Sequence, residues 1–179
     1  MSKGFTLVEL LVVIAVIGVL ATIVLLAVNP GEQLARGRDT SRVTAITQVG
    51  RALQGYFTAT ATAQYPAQST NSFGVVVTSG DLKTIPVNPT YSTTPSPACD
   101  VANLQSATTP VSNYCYLTNA GRTDAIVYAR MESTLNNNRC PSTTPANTAW
   151  FVFSTADGRS GIVCSDADPA VGNQTFLAP

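Results

Sequence analysis

The chain contains no histidine. Ser-His-Asp and Cys-His catalysis are therefore excluded, along with the commonest ligand of zinc and other transition metals. Charge is also scarce. Only 11% of residues are charged, and ten basic side chains balance ten acidic ones. No net field attracts nucleic acid or an acidic partner. No C-x-x-C pair occurs, which argues against zinc ribbons and thioredoxin-like redox sites. Phosphate-cradling glycine loops are missing as well, and Gly158-Arg159-Ser160-Gly161 is not a G-x-S-x-G nucleophile elbow. The carboxylates outside the N-terminal segment are scattered, with no acid/base pair. The composition reads as a non-enzyme.

What is present begins with four cysteines, Cys99, Cys115, Cys140 and Cys164. An even number, all beyond the apolar N-terminal segment, reads as two disulfides formed in an oxidising compartment. Three pairings are open. Cys99–Cys115 with Cys140–Cys164 is favoured because each bond closes a loop between neighbouring elements; buried free thiols are the alternative.

From Leu10 to Val28 no charged residue interrupts an apolar run. As a helix, Phe5 to Val28 extends about 36 Å, enough to cross a hydrocarbon core of about 30 Å. Glu9 sits near its start, where burying an ionised carboxylate costs roughly 2.5 kcal/mol or more at the membrane centre, so a functional role is the default reading. A secretory signal peptide fits poorly, because the run is too long, holds an acid and lacks an A-x-A site. A plain single-span anchor is the stronger alternative. Asn29-Pro30-Gly31 ends the run, and Pro30 with Gly31 is expected to act as a hinge. Topology signals conflict here. Lys3 precedes the span while Arg36, Arg38 and Arg42 follow it, so the positive-inside rule opposes the orientation that the cysteines require.

Past the break a helical stripe resumes through Leu34, Val43, Ile46, Val49 or Gly50, Leu53 and Phe57. Arg38, Asp39, Arg42 and Arg51 fall mostly off it. After Pro66 the signals change to turns and short strands, starting with the β-branched run Gly74–Thr78. Asn88 to Asn113 reads as an irregular loop. Strands are expected at 114–117, 125–129, 149–153 and 161–164, with turns at Asn119-Ala120-Gly121 and Asp157-Gly158. Phe176 and Leu177 are expected to pin the tail to the head. The fold class is α+β: a long kinked N-terminal helix, apolar in its first half, packed through its second half on a small antiparallel sheet with one apolar face.

Gly4-Phe5, with Glu9 four residues on, resembles the prepilin signature of type IV pilins and type II secretion pseudopilins. Arg38-Asp39-Thr40-Ser41-Arg42, Ile46, Ala52-Leu53, Tyr56 and Tyr65-Pro66 extend the resemblance through the helix and its exit. The Asp157–Gly161 hairpin adds a weaker likeness. The resemblance implies that a prepilin peptidase cuts between Gly4 and Phe5 and methylates the amine of Phe5. It implies that Glu9 then pairs with the Phe5 amine of a neighbouring copy during filament assembly; an intrachain pair one helical turn apart is the alternative. The expected organisation is a leader over 1–4, an assembly helix over 5–29, its amphipathic continuation over 30–63 and a disulfide-bonded head over 64–179. Expected partners are other copies of the chain, the peptidase, an inner-membrane assembly platform and the membrane itself.

No cofactor is expected. The family likeness adds calcium as a lesser reading for Asp157, Asp166 and Asp168, against ordinary turn formation. Arg122, Arg130, Arg139 and Arg159 read as solvated or paired, with DNA binding as the lesser reading. Three functions follow: a pilus subunit for adhesion, motility or DNA uptake; the major pseudopilin of a type II secretion system; or a monomeric membrane-anchored binding protein. The expected location is the bacterial inner membrane, then an extracellular or periplasmic filament.

Overall fold

The computed structural model describes residues 4–27, 29–69, 71–87, 89–91, 114–141 and 148–178. Two compact units result, the first reaching Leu34 and the second starting at Ala35.

The first unit carries helix α1, Leu7–Ala27. Its 21 residues are apolar all round apart from Glu9 and Thr22, so no stripe is singled out for burial, and every side chain described from Phe5 to Val24 is exposed. Helix α2, Pro30–Ala59, begins after the interruption. Asn29 caps it, accepting the Glu32 amide on Oδ1 at 3.2 Å and the Gln33 amide on its carbonyl at 3.2 Å. Pro30 then occupies the first helical position, where its missing amide hydrogen costs nothing. The expected break is thus a stop and a capped restart.

The second unit is built on a four-stranded antiparallel meander, β1 Cys115–Thr118, β2 Ala125–Arg130, β3 Thr148–Ser154 and β4 Arg159–Ser165, in spatial order 1-2-3-4. Tyr116 faces Val127, Val127 faces Phe153 and Phe153 faces Ser160 across the ladder. Side chains alternate between faces along each strand. Tyr116, Val127, Ala129, Phe151 and Phe153 meet Ile46, Val49 and Leu53 of α2 in the main core. Gly50 makes this approach possible: a Cβ there would lie 2.2 Å from Cγ of Phe153.

The opposite face is apolar too, contrary to expectation. Cys115, Ile126, Tyr128, Trp150, Val152 and Val163 form a second cluster, partly covered by Val171 and Phe176. The tail lies on it and alongside β4, with Phe176 bridging Val163 and the Leu177 amide donating to the Ile162 carbonyl at 2.7 Å. Phe176 is therefore pinned as expected.

Two local expectations are corrected. The β-branched run from Gly74 lies in a helix, α3 Ser72–Thr78. Phe73 and Val76, three apart, both point into the core, and Phe73 meets Tyr116 edge-on with ring centroids 5.6 Å apart. Tertiary packing has overridden strand propensity. Leu34, placed on the buried stripe, is 63% exposed. A short helix α4, Thr134–Asn137, capped by Ser133, lies between β2 and β3.

Candidate functional site

Of the residues singled out at the N-terminus, Glu9 is held in the first turn of α1 by Thr6, which was not among them. Thr6 is the N-cap of α1: its Oγ1 accepts the Glu9 amide at 3.2 Å, while Glu9 Oε2 accepts from the Thr6 amide and hydroxyl, each at 2.9 Å. This is a reciprocal capping box. Sequence reasoning treated Glu9 as a stranded acid and passed over the T-x-x-E signature that Thr6-Leu7-Val8-Glu9 supplies. The carboxylate therefore has local donors within a single copy. They are neutral, so its charge stays uncompensated in an apolar setting. Phe5 is 86% exposed beside it.

Two ionic residues set off the stripe turn out to be buried on it. Asp39, Arg42, Ile46, Val49 and Leu53 follow each other at spacings of three and four, so all five share one face. Arg42 is fully buried and Asp39 nearly so. Arg42 Nη1 donates to Asp39 Oδ1 at 2.9 Å and to Glu132 Oε2 at 3.2 Å, and Nη2 reaches the Pro89 carbonyl at 3.0 Å. Arg38 forks onto Glu132 at 2.8 and 2.7 Å. Asp39 also accepts the amides of Glu132 and Ser133 at 2.8 and 2.9 Å and the Asn136 side chain at 2.9 Å. The Tyr91 ring stacks 3.9 Å from the Arg42 guanidinium, and its hydroxyl donates to the Arg130 carbonyl at 2.9 Å. The cluster ties α2 to the β2–α4 turn and to the 89–91 segment. Its charges are matched and its bonds internal, which makes it a structural clamp.

Two buried tyrosines lie in the same core. Burial pushes the hydroxyl pKa of Tyr114 far up, with the nearby Arg42 charge opposing. Tyr116 is raised in the same way, and its hydroxyl donates to the Pro66 carbonyl at 2.8 Å.

Cys140 and Cys164 are disulfide-bonded, joining the residues after α4 to β4. Cys115 is disulfide-bonded as well, but Cys99, its expected partner, lies outside the described residues. Among the described residues no group of three or more His, Cys, Asp or Glu side chains gathers as a metal site. Asp157 instead accepts the Gln174 amide at 2.8 Å, and Asp168 accepts the Tyr128 hydroxyl at 3.2 Å. The four arginines are dispersed by use: Arg122 bonds Gln64, Arg139 reaches the Ala178 carbonyl at 2.9 Å, and Arg159 stacks 4.4 Å from the Phe176 ring. Arg130 lies at the end of β2.

Helix α1 is long and apolar enough to cross a membrane. Neither the curated proteins nor the solved structures yield a match to the chain. Residues 1–25 do match one family description, the prokaryotic N-terminal methylation motif. Residues 1–25, with the capped start of the apolar helix and its single early acid, thus carry the signature of type IV pilins and pseudopilins, a mark of structural subunits rather than enzymes.

Proposed function

We propose that the chain is the structural subunit of a type IV pilus-like filament, serving adhesion, motility or DNA uptake. It is made as a membrane-anchored precursor, cut by prepilin peptidase between Gly4 and Phe5, and methylated on the Phe5 amine. The observation that carries this reading is α1 itself: a helix of 21 residues whose apolar side chains, wherever described, are exposed. Exposed apolar surface beyond a few hundred Å² needs a partner. A bilayer supplies one before assembly, and the α1 helices of other copies supply one afterwards. Within such a bundle the Phe5 ammonium of one copy is the counter-charge that the Thr6 donors cannot give Glu9.

The test is the mass of the chain's N-terminal peptide from its native cells, combined with electron microscopy of sheared surface material. A peptide starting at methylated Phe5 and long fibres containing the chain are expected. Short fibres confined to the periplasm would point to a secretion pseudopilin instead. A chain that keeps Met1 and stays solitary would overturn the proposal.

A further inference from the structure

A groove of about 650 Å³ runs along the side of α2 that faces away from the sheet, between that helix and the 81–83 segment. A second, adjoining hollow extends it towards Thr40 and Val87. Its α2 wall is rich in hydroxyls, but these are already spent. Thr40, Ser41, Thr44 and Thr47 each donate to the carbonyl four residues back, at 2.8–3.1 Å. What remains for a neighbour is a row of short side chains that allows close approach. Two cations stand on its rim, Arg51 on the helix wall and Lys83 on the other, and neither has an ion pair among the described residues. Asp81 is engaged by the Ser79 hydroxyl at 2.7 Å.

The complementary feature lies on the far side of the same unit. Asp166 and Asp168 are exposed in the loop that follows β4. Asp168 accepts from Tyr128 and Pro169 is buried, so this loop sits on the sheet face opposite to α2. Asp166 has no ion pair among the described residues. The two sides of the unit thus differ in what they leave open among the described residues: Arg51 and Lys83 beside the groove, which Asp81 also lines, and the Asp166 and Asp168 carboxylates in the loop on the other side.

We propose that the groove along α2 receives the Asp166–Asp168 loop of a second copy of this chain, with Arg51 and Lys83 meeting the two carboxylates. Because the two surfaces differ, the contact is heterologous: each copy offers one half at each side, so copies add head to tail instead of closing as a two-fold dimer. Charge matching of this kind sets register and partner choice more than raw affinity. The inference rests on the filament reading and specifies which head surfaces meet.

The test uses the full chain in its native cells, with filament yield in sheared material as the readout and thermal melting of each purified variant in detergent as the control for folding. Arg51→Glu with Lys83→Glu is expected to lower the yield by about tenfold, as is Asp166→Lys with Asp168→Lys, because like charges then face each other. Combining all four substitutions is expected to restore at least half the wild-type yield. Unchanged yield in both double variants, or no recovery in the combination while melting stays normal, overturns the inference. A second arm covers poor folding of the Asp168 variant. Lys83→Cys with Asp166→Cys in an otherwise native chain is expected to give a ladder of dimers, trimers and larger species on oxidation of filaments. Dimers alone, or no cross-link, would also overturn it. If the unaltered chain forms no filament, it is the functional reading that fails.

Discussion

Asp39→Asn tests whether the buried clamp holds the head together. The native carboxylate accepts four bonds, from Arg42 Nη1, the Glu132 and Ser133 amides and Asn136 Nδ2, all between 2.8 and 2.9 Å. An asparagine keeps one acceptor oxygen and turns an NH₂ group towards donors. Donors left facing it lose their acceptor, at about 1–3 kcal/mol each. Arg42, fully buried, also loses one of its two carboxylates. Breaking a buried pair from one side costs about 3–5 kcal/mol, and that range includes the orphaned groups. For a unit of this size each kcal/mol lowers Tm by about 2–4 °C, so a fall of about 10 °C is expected. Thermal melting of the full chain in detergent, followed by near-ultraviolet circular dichroism, measures it; Ser41→Ala, on the exposed face of the same helix, is the control. A fall of less than about 2 °C would show that the cluster tolerates the loss of its central acceptor, and the clamp reading would be wrong.

Two glycines of α2 are expected to respond oppositely to alanine. Gly50→Ala drives a methyl into the Phe153 ring, and overpacking of about 1–3 kcal/mol outweighs the helix-propensity gain, whereas Gly37→Ala meets nothing within 4 Å and stabilises by about 0.5–1 kcal/mol; urea melts of both variants decide this. Tyr114 and Tyr116 have folded pKa values above the ordinary tyrosine value of about 10. Their contribution is complete below that value and is lost as pH rises towards the folded pKa, so the head is expected to unfold as pH climbs past about 10, with phenolate absorbance appearing in step with the loss of near-ultraviolet signal. Ionisation well ahead of unfolding would contradict it. Finally, Glu9→Gln keeps a side chain suited to the capping box but removes the charge. It is expected to leave processing intact and cut filament yield by about tenfold, while Thr6→Val weakens the cap by about 1 kcal/mol and still assembles. Equal assembly of Glu9→Gln and wild type would reduce Glu9 to a cap.

Much of the layout was legible. The four strands appear in order at their β-branched and aromatic runs, because residues such as Val127 and Phe153 have few other stable places to go. The missed parts share a cause: a residue's type was weighed above its position. Asp39 and Arg42 read as surface because they are charged, although their spacing to Ile46 and Val49 placed them inward. Val75-Val76-Val77 read as a strand, although Phe73 and Val76 have helical spacing. Ile126-Val127-Tyr128-Ala129 and Trp150-Phe151-Val152-Phe153 are apolar at every position, the mark of a sheet buried on both faces, not of one with a single apolar side. Glu9 drew notice for its cost, which hid its pairing with Thr6.

The tail beside β4 bears on how this chain avoids the wrong kind of self-association. An outermost strand offers a row of unused amides and carbonyls to any passing copy, the usual seed of amyloid-like stacking. Here Phe176 and Leu177 occupy part of that row, and Arg139 holds the Ala178 carbonyl. Trimming the chain after Gln174 would uncover Ile162 and Val163, and the resulting material should precipitate through its sheets however sound its first helix remained.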